Sequence, residues 1–304
     1  MKQFLALVAA AALTACSTAP GESVTNAIPS DAPSNRSPVS QITEIKDLNQ
    51  VKRIAEEIAS PETLLVVDVD DTMLTANEFF GSDKWYEWQR GRAKDPTGKD
   101  ITIEGVQQVN CLFDFLSVAF EIGTNKLTQP DAAEIIDSID LDQLVLTARG
   151  EDYRSATMRE LLRNSLSFSD EHLVPDNEAI RFVGADESRQ APVSYIDGVY
   201  MVSGLNKGTL LLDLLAEIDK SYSSVILVDD KENNIVNMQN ALQEAGIDFY
   251  GFQYTRVDKS VSEAEVAQAV DAASDLNAFL KEHFPERVEV LTSQSCALRQ
   301  DLVR

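Results

Sequence analysis

The sequence predicts an α/β fold: a mostly parallel sheet with helices on both faces and a mainly helical segment inserted after the first strand. Three observations predict it. Short apolar runs recur at Thr63–Val67, Leu144–Leu146, Ser224–Val228 and Phe249–Phe252. Each run after the first follows a stretch of helical periodicity, over 130–139, 210–218 and 234–245, and this alternation favours parallel pairing through crossovers. The runs are apolar at nearly every position, as strands buried on both faces must be.

Taken in order, the chain opens with Lys2 and an apolar run from Phe4 to Leu13, too short to span a membrane as a helix and read as a targeting segment over 1–15. Residues 16–40 hold Pro20, Pro29, Pro33 and Pro38 among Ser, Thr and Asn, the composition of a disordered tether. Ile42, Ile45, Leu48, Val51, Ile54 and Ile58 recur at helical spacing and predict the first helix. The first strand follows at 63–67. Residues 77–125 exceed the dozen or so that a crossover needs. They carry Phe79, Phe80, Trp85, Tyr86 and Trp88, a polar loop at Asp95–Gly98, and an apolar helix through Val106, Val109, Leu112, Phe113, Leu116 and Phe120. This insertion reads as a cap on a core formed by 41–76 and 126–285. A further amphipathic helix covers 260–283, and 286–304 form a tail without a clear signal.

Composition narrows the function classes. A net charge of −24 repels nucleic acid and anionic lipid, so phosphate-backbone binding is not expected. Any site for a phosphorylated substrate then needs local positive charge. The chain has two histidines, His172 and His283, neither near a serine or cysteine motif, which argues against histidine-based catalysis. Of three cysteines, Cys16 follows the targeting segment. Cys111 and Cys296 can either pair in an oxidising compartment or, for Cys111, fill an apolar helical stretch.

The strong polar signals follow the strands, where open α/β sheets build their sites. Asp68-Val69-Asp70-Asp71-Thr72 comes directly after the first strand. Asp68 and Asp70 are two residues apart and point the same way in extended chain. Such a pair can divide labour, one carboxylate attacking phosphorus and the other moving a proton. Leu146-Thr147-Ala148-Arg149 ends the second strand; Thr147 can bind an oxyanion or cap a helix, and Arg149 can fork onto a phosphate or substrate or be a surface residue. Asn206-Lys207-Gly208 opens a helix, whose N-terminus already attracts anions. Asp229 and Asp230 follow the third run, with Asn234 further on.

In this order the segments resemble the four motifs of the haloacid dehalogenase (HAD) superfamily. The resemblance covers roughly residues 60–255 and implies a HAD-like core with a mainly helical cap. It implies Asp68 as nucleophile, Asp70 as acid/base, and Thr147 and Lys207 on the phosphoryl oxygens, with Arg149 as a substrate contact. Mg²⁺ would be bound by Asp68, Asp70 and Asp230. The fourth motif departs from the common pattern: Asp229 stands where glycine is usual and Asn234 where an acid is usual, so either can touch the metal or support it from behind. An acidic residue at Asp70 is similar to phosphatases and phosphotransferases. Gly81-Ser82-Asp83-Lys84-Trp85 and Tyr254-Thr255-Arg256 resemble an uncharacterised bacterial HAD branch related to secreted acid phosphatases.

Leu13-Thr14-Ala15-Cys16 resembles the lipobox of bacterial lipoproteins. It implies cleavage before Cys16 and its acylation, and Ser17 favours the outer membrane, facing the periplasm. The expected function is Mg²⁺-dependent hydrolysis of a small phosphomonoester, with membrane attachment through Cys16. The alternatives are phosphotransfer to an alcohol and a non-catalytic, HAD-fold binding lipoprotein.

Overall fold

The computed structural model describes residues 37–104, 107–168, 173–174 and 178–286. In chain order the elements are β1 (Ser40–Ile45), α1 (Asn49–Ile58), β2 (Thr63–Val67), β3 (Leu74–Ala76), α2 (Asp83–Gln89), α3 (Leu112–Ile122), β4 (Asn125–Leu127), α4 (Ala132–Asp137) and β5 (Asp142–Thr147). There follow α5 (Arg154–Arg163), β6 (Ile180–Ala185), β7 (Gln190–Ile196), β8 (Val199–Met201), α6 (Lys207–Glu217), β9 (Ser224–Asp229), α7 (Glu232–Glu244), β10 (Asp248–Tyr254) and α8 (Glu263–His283).

Eight strands form one sheet in the order β1-β10-β9-β2-β5-β8-β7-β6. The run from β1 to β8 is parallel, and β7 and β6 complete the sheet antiparallel. Alternate residues of the central strands feed two cores. Leu65, Val67, Val145, Ile226 and Val228 face one core, shared with α1, α4 and the inserted segment. Leu64, Val66, Leu144, Leu146, Val225 and Leu227 face the other, against α6 and α7. The sheet is thus covered on both faces, as its unbroken apolar strands require.

Near the start of the fold, two boundaries differ from the sequence reading. Ile42 and Ile45 belong to β1, paired in register with Gly251 and Tyr254 of β10, and the helix begins only at Asn49. Three-residue spacing of two isoleucines fits a helix, but here Ile42 sits on an edge strand and is 42% exposed while Ile45 is buried. The end of the predicted tether is also in the fold: the Val39 amide donates to Asp248 (2.6 Å), and the Val39 carbonyl accepts from Phe249 (2.8 Å). Strands β6, β7 and β8 were not anticipated.

The inserted segment leaves and rejoins the core through β3 and β4, which pair antiparallel. Its apolar helix starts at Leu112, later than predicted, and Val106 lies outside the described residues. Trp85, Trp88 and Phe79 are buried in the same core as β2, so most of the aromatic cluster is packing. Gly81 has φ +81°, and a Cβ there would stand 2.3 Å from the Ala119 Cβ, so only glycine lets α2 and α3 approach here. Cys111, at the start of α3, is buried and disulfide-bonded. Cys16, His172, Cys296 and residues 287–304 lie outside the described residues. Among the described residues no helix is long and apolar enough to cross a membrane.

Candidate active site

The pairing of β2 with its neighbours builds the site. Val67 is in register with Val145 of β5 and Val228 of β9, so all three strands end at one level. The Asp68 amide continues the ladder by donating to the Val228 carbonyl (3.0 Å). Asp68, Thr147 and Asp229–Asp230 therefore gather at the C-terminal edge of three adjacent strands.

α6 brings Lys207 to the same place. The Asn206 side chain caps the helix by accepting from the Gly208 and Thr209 amides (2.9 and 3.2 Å). Gly208 permits the approach, since a Cβ there would lie 2.6 Å from the Asn237 carbonyl oxygen of α7. The Lys207 ammonium is 1% exposed and lies 2.7 Å from Asp68 and 2.6 Å from Asp229. A buried ammonium needs such partners to remain charged. Burial acts to lower its pKa, but Asp229 and Asp68 overcome this and the net direction is upward. Asp68 is pushed up to about 7, by burial first and then by the Asp229 and Asp70 carboxylates, which together outweigh Lys207.

Asp229 and Asp230 face different surroundings. Both Asp229 oxygens accept hydrogen bonds, from the Lys207 ammonium, the Lys231 amide (2.9 Å) and the Asn234 amide group (3.0 and 3.1 Å). Asn234 thus supports Asp229 and reaches the site only through it. Asp230 is 9% exposed and neither of its oxygens has a hydrogen-bond donor of good geometry among the described residues. Its charge neighbour is the Lys259 ammonium at 2.7 Å. Burial raises the Asp230 pKa against the pull of Lys259, with Asp229, Asp68 and Asp83 adding to the rise.

Asp70 lines a cleft together with Phe80, Ala119, Phe120 and Thr124. Arg149 grips Asp70 with two hydrogen bonds, Nε to Oδ2 (2.9 Å) and Nη2 to Oδ1 (2.7 Å), and donates a third to Thr157 (2.9 Å). Its guanidinium carbon lies 4.1 Å from the centroid of the Phe120 ring. Arg149 was expected as a substrate contact; its fork instead holds Asp70. Thr147 is fully buried, and its hydroxyl accepts from the Arg149 amide (3.2 Å); among the described residues its own proton has no acceptor.

Four charged residues of this region were not singled out from sequence. Asp71 adopts φ +56°, and its carboxylate meets Thr75 (2.6 Å) and Lys259. Asp83, at the start of α2, contacts Lys231 (2.9 Å) and Lys259 (3.2 Å). Lys231 and Lys259 hold their protons more tightly than usual despite burial, because carboxylates surround them. Asp71 and Asp83 lie within quoted segments without a role assigned to them, and Lys259 lies outside all of them, shortly after Tyr254-Thr255-Arg256. Two groups, Asp68-Asp229-Asp230 and Asp71-Asp83-Asp230, have ligand oxygens within 4.8 Å of one another, a spacing able to hold a metal ion. In the first, Asp229 is already saturated, which leaves Asp68 and Asp230 as the available side chains.

No curated protein matches the chain. Two crystal structures of the Legionella pneumophila effector Ceg4 are similar at 14% identity. The one with an N-terminal TEV protease cleavage sequence covers 71% of this chain and 95% of its own, with a TM-score of 0.32. The one with an N-terminal yeast Hog1p sequence covers 72% and 96%, with a TM-score of 0.31, again at 14% identity. The family described as "Protein of unknown function (DUF2608)" matches residues 41–286, and the chain belongs to that family.

Proposed function

We propose that the protein is a Mg²⁺-dependent phosphatase of the HAD type that hydrolyses a small phosphomonoester through an aspartyl phosphate on Asp68. The observation that carries this reading is the convergence of Asp68, Thr147, Lys207 and Asp230 at one strand edge, with Asp70 on the adjoining cleft. An Asp68 oxygen attacks phosphorus as the bond to the leaving oxygen breaks, and Asp70 supplies that oxygen with a proton. Asp70 then takes a proton from the water that attacks the phosphoenzyme, releasing phosphate and restoring Asp68. Lys207 and the free hydroxyl proton of Thr147 supply positive charge and a hydrogen bond to the phosphoryl oxygens. Arg149 holds both oxygens of the ionised Asp70, so Asp70 must leave this fork to carry the proton that it gives to the leaving group.

A metal ion fits the residues. Asp230 offers buried oxygens that, among the described residues, meet only the Lys259 ammonium and no hydrogen-bond donor of good geometry. With it, six carboxylates (Asp68, Asp70, Asp71, Asp83, Asp229, Asp230) face four cations (Arg149, Lys207, Lys231, Lys259). The excess of negative charge would repel a phosphate dianion. Asp68, Asp230 and the Asp70 carbonyl would hold the ion, and the all-oxygen donor set suits Mg²⁺. When bound, Mg²⁺ would offset that charge and polarise the phosphoryl group. We place the protein on a membrane through acylated Cys16, in the periplasm; the disulfide at Cys111 supports an oxidising compartment.

The test is phosphate release by the full chain from a panel of phosphomonoesters, with Mg²⁺, with EDTA and in Asp68→Asn. We expect Mg²⁺-dependent release, reduced at least about 10³-fold in the variant. Absence of release by folded protein across the panel would refute the reading.

A further inference from the structure

Lys259 lies in the loop between β10 and α8, outside every motif the sequence singles out. Its ammonium meets carboxylates from three separate segments: Asp71 after β2, Asp83 at the start of α2 (3.2 Å) and Asp230 after β9 (2.7 Å). These three residues are one of the two groups whose spacing suits a metal ion. Asp230 belongs to both groups, and among the described residues its buried oxygens meet no partner other than the Lys259 ammonium. Its position therefore depends on which cation draws it. Lys231 sits on the far side of Asp83, 2.9 Å from it and 3.0 Å from Glu87, so the Asp83 side of the group is also neutralised by the chain itself.

We propose that Lys259 is a tethered counter-ion filling the Asp71-Asp83-Asp230 group, which excludes a second divalent cation there and keeps Asp230 turned toward Asp68. The proposal rests on the metal reading of Asp68 and Asp230. A single positive charge suits this role. A divalent ion at the same point would carry twice the charge and draw Asp230 fully to its side. An ammonium cancels one carboxylate, keeps its place without dissociating, and leaves Asp230 with charge to share. Lys259 does not touch the cleft side of Asp68 or Asp70, so it is a positioning residue.

The experiment is a Mn²⁺ titration of the EDTA-stripped full chain, read by electron paramagnetic resonance and calorimetry. Wild type should bind one ion per chain, Lys259→Met two, and Lys259→Arg one. Lys259→Gln repeats the neutral substitution if the Met variant lacks the native circular dichroism spectrum. Two ions in wild type, or one ion in wild type and in both neutral variants, would overturn the counter-ion role. No ion in wild type would instead remove the metal reading beneath it, so the two failures are distinguishable.

Discussion

The site has two sides, and each is organised around a lysine, one buried and one partly exposed. On one, Lys207 joins Asp68 to Asp229, and Asn234 and the Lys231 amide complete the Asp229 carboxylate. On the other, Lys259 joins Asp71, Asp83 and Asp230, but Asp230 receives no hydrogen bond of good geometry from the described residues. Lys207 is 1% exposed and Lys259 is 40% exposed. The first side is closed by a full set of partners around Asp229, whereas the second has a partly exposed lysine and a carboxylate whose charge partner is that lysine. The comparison teaches that consecutive aspartates at a strand end take their roles from what comes to meet them. Asp229 is an anchor, and Asp230 is the one free to take a ligand.

The largest effect should come from breaking the closed side. Lys207→Met leaves Asp68 and Asp229 buried without their counter-ion, and unfolding free energy should drop by about 3–5 kcal/mol in urea titrations. A loss below about 1 kcal/mol, the scale of an exposed pair, would mean that the ion pairs are not formed as described.

Asp230→Asn should behave in the opposite way. The metal-free protein should stay within about 1 kcal/mol of wild type, because losing the pair with the partly exposed Lys259 is offset by removing a buried charge. The rise in melting temperature on adding Mg²⁺ should vanish. An Asp230→Asn protein that still gained stability from Mg²⁺ would shift the metal to the saturated Asp229.

A smaller effect should appear in the pH dependence of the metal-free protein. Asp68 is raised from 3.8 to about 7 in the folded state. Between these values the folded protein holds a proton that the unfolded chain has released, so this contribution is complete below 3.8 and is lost as pH rises through 7. Asp71 and Asp230 are also raised and act in the same direction. Asp83 is lowered, so its effect falls below its ordinary value and outside this window. The melting temperature should fall between about pH 4 and pH 7, and Mg²⁺ at the upper end should recover much of it. A melting temperature that rises over this range without metal would contradict the burial of Asp68.

Much of this arrangement was legible before the structure. Asp68, Thr147 and Asp230 each stand at or just beyond the end of an apolar run, and Lys207 stands just inside a capped helix, so local pattern was enough to place them. Ile42 and Ile45 misled because a three-residue spacing at the border of a helix is shared by a strand entering a turn, and only pairing with β10 decides between them. Arg149 was recognised as a candidate, but its target was not, since Asp70 is brought to it by the sheet. Lys259 carried no local signal at all. It lies 188 residues from Asp71 and 176 from Asp83, and its role arises from long-range contacts that no window of sequence contains.

The central claim is that Asp68 carries the phosphoryl group, and its most direct measurement is acid quenching of the full chain during turnover of a phosphomonoester with Mg²⁺, followed by peptide mass spectrometry. The account predicts one phosphoryl group, on the peptide containing Asp68 and assigned to that residue by fragmentation. Phosphate release with the label on another residue, or with no phosphoenzyme at any quench time, would contradict it.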